Sequence, residues 1–231
     1  MYHVSGIVGI VQQKVRGDEK MERFVIAITR TCGSGATSIG NILADDYGID
    51  MYDRKLLRLA SEDSGISEAL FAEADEHVKN SLLYRVSKKV YTGELIPPES
   101  GNFTSDENLF NYQEKVLKEL ASRESYVCIG RACDYILRDY DHVLKVFIYA
   151  PLERCIQKEM ERQGISRKDA EKYIARNDKY RRAYYKYHTG LEWENPYNYD
   201  LCLNTEQLTY SQAANLIEEM IEIRFGVKLN K

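Results

Sequence analysis

The stretch RTCGSGATSIG, Arg30–Gly40, decides how the rest of this chain is read. It follows FVIAIT (Phe24–Thr29), an apolar β-rich run, and precedes NILADDYG (Asn41–Gly48), a helical pattern closed by a glycine. A glycine turn between strand and helix lets backbone N–H groups converge on an anion, and the helix dipole adds to the attraction. The spacing approximates the phosphate-loop motif G-x-x-x-x-G-K-[ST] but departs from it twice. Arg30 stands at its first glycine and Ala36 at its lysine. Gly33, Ser34, Gly35, Ala36, Thr37 and Ser38 form the candidate phosphate-binding segment. Thr37 occupies the slot whose hydroxyl ordinarily holds Mg²⁺. Ala36 cannot follow the β- and γ-phosphates as lysine does, and Arg30 is a candidate substitute because guanidinium binds phosphate well. From this loop alone, a plain strand-to-helix turn remains the alternative.

The chain has 231 residues and a net charge of −4, so it is no general electrostatic magnet for nucleic acid or membrane. Neither partner is expected. No apolar run approaches the ~20 residues that a spanning helix needs. VSGIVGIV (Val4–Val11) lacks the flanks of a signal peptide, and a cytoplasmic protein is expected. The five cysteines form no C-x-x-C pair, so reduced, buried thiols are expected rather than a disulfide framework or zinc site. Residues 1–20 read as an extension ahead of a single domain over 21–231, and the oligomeric state is left open.

Further β-rich runs fall at Ile49–Tyr52, Tyr126–Ile129, Val143–Tyr149 and Asp200–Leu203. Most are continuously apolar, which suits parallel strands covered on both faces. Helical patterns lie between them, at Thr37–Asp46, Leu109–Ser122 and Ser211–Phe225, the last behind a Thr209-x-x-Gln212 capping box. The alternation predicts an α/β fold with a parallel sheet, whose ligands bind at the carboxyl ends of the strands. Two regions interrupt it. Residues 54–108 carry a helical, polar sequence pattern, then a stretch rich in Pro, Gly and Ser. Residues 153–190 are charged and helical, with a break at Gln163–Ser166 and a Ser166-x-x-Asp169 cap.

Four later stretches accompany the glycine loop: YVCIGRACDYIL (Tyr126–Leu137), VLKVFIYAPLERC (Val143–Cys155), NDKYRRAYYKYHTGLEW (Asn177–Trp193) and NYDLCLNT (Asn198–Thr205). Together they resemble the cytidylate kinase-like family of P-loop proteins, over roughly Phe24 to Phe225. The family's loop looks like S-R-x-x-G-S-G-G, so Arg30 and the absent lysine are features of the resemblance. The fold it implies is that of nucleoside monophosphate kinases: a central parallel sheet, helices on both faces, an NMP-binding insert (about 54–108) and a helical lid (about 153–190).

The resemblance also implies roles. Arg131 matches the arginine of a G-R-D motif that contacts CMP, with the aspartate displaced to Asp134, which could read the base or order Arg131. Asp178 and Arg181 match a D-x-x-R pair used beside nucleotide and phosphate. Asp53 falls where the monophosphate insert begins, with Arg58 one turn on, and N-capping is the plain alternative for Asp53. Arg154, Arg162 and Arg176 are lid candidates, and Thr205, beside Asn204, falls near the expected adenine loop. Residues 154–186 carry eleven Lys/Arg against five Asp/Glu, which suits a lid closing on triphosphate. The same stretch suits an exposed pair of charged helices. The tyrosines among those charges are expected to pack the lid against the sheet rather than to stack nucleic-acid bases. The histidines have no ligand spacing. The expected activity is ATP- and Mg²⁺-dependent phosphoryl transfer to a nucleoside monophosphate, CMP or dCMP. The alternatives are a non-catalytic nucleotide- or phosphometabolite-binding regulatory protein and a kinase for another small acceptor.

Overall fold

A computed structural model describes residues 23–53, 60 and 105–229. Its elements run β1 (Val25–Arg30), α1 (Ala36–Tyr47), β2 (Asp50–Tyr52), α2 (Asp106–Arg123), β3 (Tyr126–Ile129), α3 (Cys133–Ile136), β4 (Val143–Tyr149), α4 (Leu152–Gln163), α5 (Arg167–Thr189), β5 (Leu201–Asn204) and α6 (Tyr210–Phe225). All five strands are parallel, in the order β2-β3-β1-β4-β5. The fold class is therefore the α/β parallel sheet that the alternation predicts, with the strands and helices in the order the resemblance implies. The extension at 1–20, Arg58 and nearly all of 54–108 lie outside the described residues.

The continuous apolar character of the strands has the expected cause. Ile26 and Ile28 of β1 pack with Ile39 and Leu43 of α1 and with Ile217 and Ile221 of α6. Val25 and Ala27 face the other way, toward Leu109 and Leu117 of α2 and Tyr184 and Tyr185 of α5. Every residue of β1 except Arg30 is buried, because helices cover both faces. Cys32, Cys128, Cys133 and Cys155 are free and buried, but Cys202 is exposed. Burial was expected for all five. Cys202 escapes it because β5 is an edge strand whose alternate residues turn outward.

Side-chain caps mark several helix starts. Ser105, Ser166 and Thr209 each accept an N–H from the first turn of α2, α5 and α6, and Thr209 with Gln212 completes the capping box. Gly164, in the left-handed region, ends α4, so α4 and α5 form a helical hairpin on the chain that leaves β4. α1 differs. The N-cap of α1 is Gly35, with φ +85°, at the end of the glycine turn.

Candidate functional site

The glycine loop is held from several directions. Gly33 and Gly35 have φ values of +82° and +85°, which favour glycine. A Cβ on Gly33 would fall 2.8 Å from the backbone oxygen of Cys155, and one on Gly35 would strike the Tyr210 ring. The loop thus lies against the first turn of α4 on one side and the start of α6 on another. Ser34 is buried, and its hydroxyl donates to Thr31 O at 2.9 Å. Thr205 Oγ1, just beyond β5, lies 2.9 Å from Ser34 O and 3.3 Å from Tyr149 O and has one proton to share between them. Asp178 of α5 accepts the Cys32 N–H at 2.8 Å.

A cleft of about 730 Å³ opens over the loop at the carboxyl edge of the sheet. It runs from Asp53, beyond β2, across Gly130 and Arg131, beyond β3, and over the loop to the α4–α5 hairpin and Tyr210. Arg30, Gly33, Gly35, Ala36, Thr37, Ser38, Asp53, Arg131, Arg162 and Arg181 all line it, so the fold gathers these sequence candidates into one space.

Among the described residues, five cations face the cleft: Arg30, Arg131, Lys158, Arg162 and Arg181. The Arg30 guanidinium leans toward β3 and packs on Gly130, where any Cβ would collide with it. Arg131 Nη2 is 3.9 Å from Asp53 Oδ1, and its side chain is 7% exposed. Arg131 and Ala132 have φ values of +62° and +52°. Such backbone costs a non-glycine residue roughly 1–2 kcal/mol and marks a turn whose shape is imposed by its surroundings. Lys158 bonds Glu161 at 2.8 Å, and Arg162 bonds the buried Glu159 at 2.6 Å. Arg181 Nη1 meets Asp178 Oδ1 at 3.2 Å.

Burial raises the Asp178 carboxyl above its ordinary value, against the pull of Arg181 and the Cys32 amide. Burial also pushes the Cys32 thiol up to about 12 and that of Cys155 to about 11. Both are protonated at neutral pH, which removes thiolate chemistry from the loop.

Other sequence candidates are placed elsewhere. Asp134 does not reach the cleft. It is buried beneath, accepting from Thr29 Oγ1 at 3.2 Å and Tyr185 OH at 2.6 Å, because the left-handed turn before it directs it inward. Asp178, Ser34 and Thr205 grip the loop rather than line the cavity. Arg154 and Arg176 lie outside the lining set, and Thr205 is buried against the loop. Conversely, sequence reasoning passed over Lys158, Glu159, Glu161, Trp193 and Tyr210, which do line the cleft. The spacing of Cys155, Lys158, Glu159 and Arg162 along α4 was the available signal. It assigns them to one helix face without saying what that face meets.

The model of the cytidylate kinase-like family matches residues 25–207, from β1 to just past β5. The chain belongs to the cytidylate kinase-like family. Similar proteins include the cytidylate kinase of Pyrococcus horikoshii, 22% identical over 187 residues that cover 80% of this chain and 82% of that one. The cytidylate kinase of Methanopyrus kandleri is 24% identical over 207 residues, covering 86% and 93%. Among solved structures, an uncharacterized protein from Eubacterium ventriosum superposes with a TM-score of 0.65 at 22% identity, covering 87% of this chain and all of that one. At that identity the likeness is one of fold. Membership supports a P-loop kinase-like phosphotransferase, and among the described residues no helix is long and apolar enough to cross a membrane.

Proposed function

We propose that this protein transfers the γ-phosphoryl group of ATP to a nucleoside monophosphate, with CMP or dCMP as the first choice. The observation that carries the reading is the glycine loop with its two positive-φ glycines, leading into the start of α1 at the floor of a cleft that five cations line among the described residues. Phosphoryl transfer asks a protein mainly for positioning and charge neutralisation, and this arrangement offers both. Loop amides from Gly33 to Thr37 would cradle the donor phosphates. Arg131, with Asp53 beside it, would orient the acceptor at the β2–β3 end, and Arg30 leans to that same end. The α4–α5 hairpin would serve as the lid, and residues 54–108 as the acceptor-binding insert.

The site fits Mg²⁺ in one limited sense. Thr37 is exposed, lines the cleft and lies in the first turn of α1, whereas no cluster of three candidate metal-ligating side chains exists among the described residues. A Mg²⁺ ion held by Thr37 would take its remaining ligands from water and substrate phosphates, and would neutralise the oxygens between which the phosphoryl group moves.

Ala36 favours a second reading, a protein that binds nucleotides without turning them over. One assay separates the two. ADP release from ATP and Mg²⁺ is measured across a panel of nucleoside monophosphates. Acceptor-stimulated release supports transfer. ATP binding without release for any acceptor supports the second reading and sinks the first.

A further inference from the structure

Lys158, Arg162 and Arg181 of the α4–α5 hairpin line the cleft. Much of the hairpin's remaining positive charge points elsewhere. Lys168, Lys172, Arg176 and Lys179 follow one another along α5 at intervals of four, four and three residues, which sets them on one face of the helix. All four are exposed, and none lines the cleft. Ala170 and Ile174, packed with Cys32 beneath the glycine loop, belong to the buried side of the same helix. The cation stripe stands on the far side from them, so it cannot close on phosphates held by the loop.

Other cations of α5 are neutralised within the chain. Arg167 bonds Glu153 and Glu171, Arg182 bonds Glu194, and Lys186 bonds Glu192. Among the described residues no carboxylate lies within 4.0 Å of the four stripe cations. Asp169, beside the stripe, is engaged by the Ser166 hydroxyl. Arg176 lies over the Tyr173 ring, 6.0 Å from its centre, which leaves its charge unanswered. Neighbouring cations are about 5–6 Å apart along the axis and the row spans about 16 Å, so it sustains a positive potential of its own on a chain whose net charge is −4. An aromatic ring stands beside the row. Tyr184 and Tyr185 are buried with the sheet, as the sequence suggests, whereas Tyr180 is 37% exposed. Tyr180 follows Lys179 and lies one turn beyond Arg176, at the rim of the cleft.

We propose that this face of α5 binds single-stranded nucleic acid, with backbone phosphates along Lys168, Lys172, Arg176 and Lys179 and a base on Tyr180. The occupant follows from two chemistries set side by side. An acidic protein segment would answer the charges and leave the ring unused. A duplex would answer them too, but its stacked bases offer no open face. A single strand supplies both a row of phosphates and open base faces, and stacking on an aromatic ring tolerates any base. RNA and DNA share these features, so the surface reads neither sugar nor sequence. The inference stands apart from the proposed phosphoryl transfer, since none of the four cations reaches the cleft.

The test is fluorescence anisotropy of a labelled uridine dodecamer with the full chain. Each phosphate neutralised on a single strand adds about −0.7 to the slope of log affinity against log salt, so four cations give about −3. Affinity should then fall about fiftyfold between about 50 and about 200 mM salt. The double variant Lys172→Ala, Lys179→Ala should bring the slope to about −1.4 and leave ATP affinity within about twofold. Alanine on an exposed helix face keeps the fold. Tyr180→Ala should weaken the dodecamer between about fivefold and about a hundredfold at an unchanged slope, and Tyr180→Phe should bind it as the wild type does. A thymidine dodecamer should behave alike. A wild-type chain that leaves the dodecamer unbound at about 50 mM salt overturns the inference. So does a slope that the double variant leaves unchanged, which moves the strand off the stripe. Polyglutamate that displaces the labelled strand as well as unlabelled dodecamer does would give the face to acidic proteins and overturn it too.

Discussion

Gly33→Ala tests whether the glycine loop and the α4–α5 hairpin are one packed unit. The substitution adds one methyl group at a residue with φ +82°. Backbone in that region costs an L-residue about 1–2 kcal/mol. The new Cβ would also stand 2.8 Å from Cys155 O and 2.9 Å from Cys155 Cα and Cβ. None of these atoms can swing aside as the tip of a long side chain can, so α4 or the loop must shift, at roughly 1–3 kcal/mol for an overpacked contact. Gly48→Ala isolates the second contribution. Gly48 has φ +63°, and its Cβ would meet nothing within 4 Å. Both changes remove a glycine's freedom from the unfolded chain to the same extent, so that contribution cancels in the comparison. Gly33→Ala should therefore lose about 1–3 kcal/mol more than Gly48→Ala in urea unfolding, with similar slopes. Gly33→Ala should also weaken ATP binding, because displacing α4 disturbs the loop amides. Equal destabilisation by the two substitutions would refute the packing of Gly33 on Cys155 from which the argument is built.

Three further outcomes are expected. Thr205→Val removes the donor to the Ser34 carbonyl at a residue that is only 4% exposed. It should cost about 1–3 kcal/mol in urea unfolding and also loosen the loop, lowering ATP affinity in calorimetry. Asp178→Asn retains an oxygen for the Cys32 amide, whereas Asp178→Ala leaves that amide without its acceptor. The alanine variant should be less stable than the asparagine variant by about 1–3 kcal/mol, and equal stabilities would exclude the bond as a stabilising contact. Finally, His188 stacks on Phe110 at 4.0 Å, and burial lowers its pKa to about 3. Its folded pKa lies below its unfolded one, so its contribution is complete above about pH 6.5 and fades as pH falls. The loss reaches at most about 2 kcal/mol at pH 5. His188 as a whole residue is only half-buried, which can only reduce that figure. A His188→Gln variant whose stability falls as steeply between pH 7 and 5 would place the acid sensitivity elsewhere.

The predicted strands are all present because their signal is local: an apolar run with no alternation needs cover on both faces, and the turns around it carry their own glycines and caps. Arg131 entered the candidate set from its place after a strand together with its resemblance to a G-R-D motif, and the fold sets it at the cleft with Asp53. Asp134 was less accessible to such reasoning. Three residues on, it turns inward to Thr29 and Tyr185, since the direction of its side chain follows from left-handed backbone that GRACD does not announce. Lys158, Glu159 and Tyr210 show the same limit. Their neighbours in the cleft are remote in the chain.

By itself the sequence determined the layered α/β architecture, the position of the glycine loop at the end of β1, and the loss of lysine at Ala36. These follow from periodicity, glycine placement and residue identity, all of which are short-range properties of the chain. The assignment of each cation to a partner was decided only by tertiary structure. In the sequence Arg30 was the candidate substitute for lysine, and Arg181 entered only with Asp178, as a D-x-x-R pair implied by the resemblance. In the fold, the absence of a side chain on Gly130 leaves room for Arg30 to lean toward β3, and one oxygen of Asp178 joins Arg181 to Cys32 of the loop, 146 residues before Asp178. Contacts across such a separation depend on how sheet and helices pack, which no local pattern encodes.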